Sequence, residues 1–153
     1  MKKKMICLAL ILTLAGISCL SAQMSKAQLQ NMYVNYLRGE GYSPTIDSDG
    51  DVNFTAQSQR FYINVMENDL QSFQIVMTNF LDIGSASNRL RALEAASAVT
   101  RTRPVTRLYL TSSGRIAIDS FIFLARPEDF SAHLNRLVNV MVQSREEFLT
   151  AMR

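Results

Sequence analysis

The chain has 153 residues, 16 Lys and Arg, 13 Asp and Glu, two Cys and one His. The length suits one domain, since a single core commonly serves about 100–150 residues. Lys2, Lys3 and Lys4 carry all of the excess charge: without them 13 bases face 13 acids and the net charge is zero. A neutral chain gives no charge-based case for binding nucleic acid or anionic lipid.

The first 22 residues read as a cleavable signal peptide. Lys2 to Lys4 form a positive n-region, and Met5 to Ala15 an apolar stretch too short to span a bilayer. Leu20-Ser21-Ala22 offers small residues for cleavage before Gln23, which leaves 23–153 as one domain and a periplasmic or secreted destination. Cys7 and Cys19 both lie in this segment, so the processed chain has no disulfide, thiol nucleophile or cysteine metal site. A lipid anchor on Cys19 is the alternative, although Gly16 stands where a lipoprotein signal carries a Leu-like residue.

The processed chain opens with a helix. Ser25 is its N-cap and Gln28 the capping-box partner. Leu29, Met32, Tyr33, Tyr36 and Leu37 form one stripe, and Gly39 and Gly41 end it. A three-stranded meander follows from Gly41 to Met66. Asp49-Gly50 reads as a type I′ hairpin turn, and Gln57-Ser58-Gln59 as a second polar turn. Phe61, Ile63 and Val65 share one face, and Arg60, Tyr62 and Asn64 the other. Asp47, Asp49, Asp51 and Asn53 invite a calcium reading. An EF-hand loop needs glycine at position six and glutamate at twelve, where this chain has Val52 and Ser58, so a solvated turn fits better.

A fourth strand is expected near Leu70 to Thr78, and a loop from Asn79 to Ser87. Asn88 to Thr102 predicts a helix with Leu90, Leu93, Ala96 and Val99 on its apolar face, closed by Pro104. Arg101 and Arg103 suit the negative end of its dipole; an anion site built from Arg101, Arg103 and Arg107 is the sharper alternative. Val105 to Thr111 and Arg115 to Ala125 predict two more strands around Ser112-Ser113-Gly114. On the last strand Ile116, Ile118, Ile122 and Leu124 lie in one phase. Ala117, Asp119, Phe121 and Phe123 lie in the other. Two phenylalanines on the solvent phase are either covered by another element or mark an interface.

Pro127-Glu128-Asp129 is expected to open a final amphipathic helix of about 25 residues, some 37 Å, long enough for its end to reach a partner. The order α-β-β-β-β-α-β-β-α, with turns too short for parallel crossovers, predicts a mainly antiparallel sheet with flanking helices, an α+β fold.

The succession L-x-x-M-Y-x-x-Y-L-R-x-E-G-Y, I-D-S-D-G-D-V-N-F and F-Y-I-N-V resembles the YbjN-like family of bacterial proteins. So do the Ala-rich helix, V-T-R-L-Y-L-T-S-S-G-R-I-A-I and the terminal amphipathic helix, over about Gln28 to Met152. The resemblance implies a type III secretion chaperone-like fold, often dimeric, in proteins described as sensory-transduction regulators. The secretion signal departs from that pattern, so the fold and a tendency to bind protein are what the resemblance implies here.

No set of residues points to catalysis. His133 has no evident orienting acid, Glu128-Asp129 and Glu146-Glu147 read as solvated pairs, and no glycine-rich phosphate loop occurs. The expectation is a non-enzymatic adaptor or chaperone-like module of the bacterial envelope with no cofactor. It would bind a protein partner or a second copy through Phe121, Phe123, Tyr62 and Tyr109. The alternative is a small-molecule or lipid binder with an apolar pocket between sheet and helices; methionine suits an adaptable apolar surface, but Met32, Met77, Met141 and Met152 sit on core phases.

Overall fold

The computed structural model describes residues 24–153; the stretch expected to be a signal peptide, with Cys7 and Cys19, lies outside the described residues. The elements are α1 (Lys26–Gly39), β1 (Thr45–Ile46), β2 (Val52–Ala56), β3 (Gln59–Asn64), β4 (Ser72–Asp82), α2 (Ala86–Thr102), β5 (Arg107–Leu110), β6 (Arg115–Phe123), a 3-10 turn (Pro127–Phe130) and α3 (Ser131–Ala151). The six strands form one sheet in the order β1-β2-β3-β4-β6-β5, every neighbouring pair antiparallel. This is the α+β architecture the element order predicts.

Local signals explain most of the boundaries. Ser25 and Gln28 form a reciprocal capping box, with Gln28 N–H donating to Ser25 Oγ at 3.3 Å and Ser25 N–H to Gln28 Oε1 at 2.8 Å. Gly41 takes φ +86°, and the Tyr42 N–H returns to the Leu37 carbonyl at 2.9 Å, which closes α1. The two meander turns exchange the expected roles. At Asp49-Gly50 only Gly50 has positive φ, and five residues separate the paired Ile46 and Val52. The two-residue turn with both central residues left-handed is Gln57-Ser58, at φ 48° and 61°, between paired Ala56 and Gln59.

Four other boundaries or faces differ from expectation. β4 runs to Asp82 instead of stopping at Thr78, because an irregularity between Met77 and Leu81 carries the pairing with β6 past the polar Thr78-Asn79 step. The bulged stretch brings Phe80 edge-on to Phe148 of α3 at 5.8 Å. In α2 the buried stripe is Ala92, Ala95, Ala96 and Val99, while Leu90 is 62% exposed and Leu93 also faces solvent. Small alanines let α2 sit close against β5 and α3, which turns the leucines outward. Pro127 opens a 3-10 turn rather than α3 itself. The far end of α3 does not reach out: Phe148 is buried, Met152 packs on the core and its carbonyl accepts from Arg91 Nη2 at 2.7 Å.

All three helices pack on one face of the sheet. Leu29, Tyr33 and Leu37 of α1 and Leu134, Leu137, Val138 and Met141 of α3 close over Val52, Phe54, Phe61, Ile63, Phe73, Ile75, Met77, Ile116 and Ile118. Phe130 sits edge-on to Tyr33 at 4.8 Å and to Tyr36 at 5.0 Å, and Tyr36 Oη donates to the Ser131 carbonyl at 3.1 Å, which ties α1 to the start of α3. Met77 and Met141 are fully buried and Met32 and Met152 pack against the same cluster, so these methionines fill the core. The opposite face of the sheet carries no helix among the described residues.

Candidate functional site

Alternation along each strand sends every second residue to the helix-free face, and antiparallel register sets those residues in rows. One row reads Arg107, Asp119, Val76, Tyr62, Asn53 across β5, β6, β4, β3 and β2. The next reads Phe121, Gln74, Asn64 across β6, β4 and β3. Tyr109 lies two residues from Arg107 on the same face of β5, and Phe123 two from Phe121 on β6. The four expected contact residues, Tyr62, Tyr109, Phe121 and Phe123, therefore share one face.

Phe121 is 43% exposed and Phe123 77%, and their rings meet edge-on at 5.4 Å. No helix among the described residues packs over the pair. Tyr62 and Tyr109 are half-buried beside a polar network that crosses four strands. Asn64 Nδ2 donates to Gln74 Oε1 at 3.1 Å, and Gln74 Nε2 donates to Asp119 Oδ2 at 2.8 Å. Arg107 completes it with a two-pronged contact to Asp119, Nε to Oδ1 at 3.0 Å and Nη2 to Oδ2 at 2.5 Å. Asp119 is only 1% exposed, so its charge is tolerated because three donor groups meet it. The same guanidinium lies 5.5 Å above the Tyr109 ring, a cation–π contact. Burial pushes the Tyr62 phenol above its ordinary range, helped by Tyr109 and by Asp51. Burial, then Asp119, does the same to Tyr109. The face thus presents neutral phenols, amides, one ion pair with a buried carboxylate and a mostly exposed guanidinium, and two open rings.

Next to the aromatic pair the backbone is strained. Val105 has φ +62°, a left-handed conformation that a β-branched residue rarely adopts and that costs on the order of 1–3 kcal/mol. It sits in the turn between α2 and β5 and is 52% exposed, so no burial of its own side chain offsets that cost.

The other sequence candidates separate. Arg103 is engaged by Glu147 through two donors and by Gln143 at 3.1 Å, and Arg107 by Asp119, while Arg101 is exposed in the last turn of α2; the three do not converge on an anion site. Asp47 Oδ1 accepts from the N–H groups of Asp49, Gly50 and Asp51 at 3.0 Å each, and Asp47 Oδ2 from Asn53 Nδ2 at 2.8 Å. The Asn53 contact, then those backbone donors, hold this carboxyl below the usual range. Asp129 pairs with Arg126 and Glu146 with Arg145. His133 is exposed on α3. Sequence reasoning placed Asp119 in the right phase but did not single it out, since its partners come from β4 and β5.

No family model matches this chain, and no curated protein does. Solved structures do. One is an uncharacterized protein from Methanothermobacter thermautotrophicus, with a TM-score of 0.54 at 11% identity, over 82% of this chain and 99% of that one. Another is YbjN from E. coli, described as a proposed transcription regulator, with a TM-score of 0.51 at 11% identity, over 80% of this chain and 87% of that one. At such identity the likeness is one of fold, and this chain has a YbjN-like fold.

Proposed function

We propose that this chain is a non-enzymatic protein-binding module of the bacterial envelope, that its contact surface is the helix-free face of the sheet, and that a second copy of the chain docks there. The observation that carries the reading is the open Phe121–Phe123 pair on that face. An exposed apolar centre rimmed by polar groups is what interfaces present, with aromatic residues enriched at their cores. The charge balance favours self-association. The buried Asp119 is already answered by Arg107, Arg115 lies opposite Asp82 in the sheet register, and residues 23–153 carry equal numbers of acids and bases. Two copies meeting about a two-fold axis would place each aromatic pair against its equivalent without net repulsion. The face combines open rings and phenols with amides and the Arg107–Asp119 pair, a mix of aromatic anchors and polar groups that suits a protein contact. The signal-like residues 1–22 support the envelope assignment.

Sedimentation equilibrium of the processed protein and of the Phe121→Ser, Phe123→Ser double variant tests this reading. The parent is expected to show a concentration-dependent dimer and the variant a folded monomer. A parent that stays monomeric at every concentration, or a variant that dimerises equally well, overturns it.

A further inference from the structure

A second feature lies beyond the sheet face. Round the end of β6, between that strand, the Arg103–Val105 turn and α3, runs a groove of about 480 Å³. Its walls are Val105, Ile122, Phe123, Leu137 and Val140, with Arg103, His133 and Arg136 along its rim. That volume falls in the range of small-molecule sites, and a mainly apolar lining with a few convergent polar groups is their usual chemistry.

The α3 side of the groove is a helical stripe. His133, Arg136, Leu137 and Val140 stand at i, i+3, i+4 and i+7, so two nitrogen bases lie toward the N-terminal end and two aliphatic side chains follow. No carboxylate lines the groove. Arg103, at its other end, is answered by Glu147. Arg136 makes no ion pair among the described residues. One uncommitted guanidinium at the head of an apolar trough complements a molecule with an anionic head and an apolar tail. The strained Val105 fits the same account, because its left-handed backbone holds the isopropyl group on the groove wall instead of in the core.

We infer that this groove binds an anionic amphiphile, a single-chain carboxylate or phosphate, with its head on Arg136 and its tail along Val105, Ile122, Leu137 and Val140. Phe123 belongs to both this groove and the sheet face, but Phe121, Tyr62 and Tyr109 lie outside the groove lining, so the groove fills in a monomer without the docking of a second copy.

Calorimetry with dodecanoate, dodecyl phosphate and the uncharged monolauroylglycerol, using the processed protein, tests it. Both anions are expected to bind more tightly than the uncharged compound. Arg136→Gln should weaken the anions about tenfold and leave the uncharged compound nearly unchanged, since it removes one charge-assisted contact. Val140→Glu, on a half-exposed helical position, should abolish binding of all three while circular dichroism shows an intact fold. Phe121→Ser should bind as the parent does, which separates this site from the sheet face. Absence of binding by all three compounds overturns the inference. So does equal loss for charged and uncharged compounds in Arg136→Gln, or capture only by phosphatidylglycerol vesicles, which would indicate a membrane surface.

Discussion

The two faces of the sheet follow the same alternation and reach opposite ends. Beneath the helices, Phe73, Ile75, Met77, Ile116 and Ile118 are completely enclosed, and shape complementarity holds them. On the other side, burial is achieved without helices: Asp119 and Val76 are covered by their neighbours in the sheet, and Asp119 is tolerated because Arg107 and Gln74 meet it. The first face explains why the chain folds. The second ends in two open rings, Phe121 and Phe123, and it is this face on which the proposed contact rests.

The sharpest way to break the comparison is to damage each face and compare the costs. Phe73→Ala, on the enclosed face, should cost about 3–5 kcal/mol in urea unfolding, since it removes a ring that contacts Tyr33 and Phe130 and leaves a cavity. Asp119→Asn, on the helix-free face, should cost about 1–2 kcal/mol: Gln74 keeps a partner, while Arg107, mostly exposed, loses its charge-assisted contacts to solvent. If Asp119→Asn proves the costlier of the two, the faces have been assigned the wrong roles. Leu90→Ser, at a position the sequence pattern placed in the core, should shift stability by less than about 0.5 kcal/mol. Ala92→Leu, two residues on, should cost about 1–3 kcal/mol by overpacking, so the pair checks the phase of α2.

The smallest expected effect is electrostatic. The Asp47 carboxyl is held low in the folded chain, so the stability it adds is present above its ordinary value near 4 and is lost as pH falls through its lower folded value. Asp47→Asn should flatten the acid side of a stability–pH profile and leave the neutral side almost unaltered. An unchanged acid limb would mean that the turn gains nothing from ionisation.

What could be read from the sequence was what neighbouring residues decide together. Ser25 with Gln28 announced a capping box, and the alternation from Arg115 to Phe123 assigned both phases of β6, including the outward Phe121 and Phe123. Signals that depend on distant strands were illegible. The irregularity after Met77 shows only in the pairing with β6, and in the sequence it looked like the end of a strand. Gln57-Ser58 carries neither Gly nor Asn, yet the pairing of Ala56 with Gln59 forces both into left-handed backbone. Leu90 and Leu93 read as core because they are apolar, but close approach to β5 and α3 selected the alanines. At the candidate site the four aromatics were visible by phase, whereas the Asn64–Gln74–Asp119–Arg107 network needed the register of four strands.

The central claim, that the helix-free face meets a second copy, is tested most directly by single-thiol cross-linking. In a chain whose Cys7 and Cys19 are removed by processing or replaced by serine, one cysteine is introduced in place of Asn64, in the row of Phe121 and one strand beyond Gln74, and in a separate chain in place of Leu90 on the exposed side of α2. A short bifunctional maleimide should join two copies efficiently in Asn64→Cys and poorly in Leu90→Cys. Equal yields, or a higher yield from Leu90→Cys, would contradict the account.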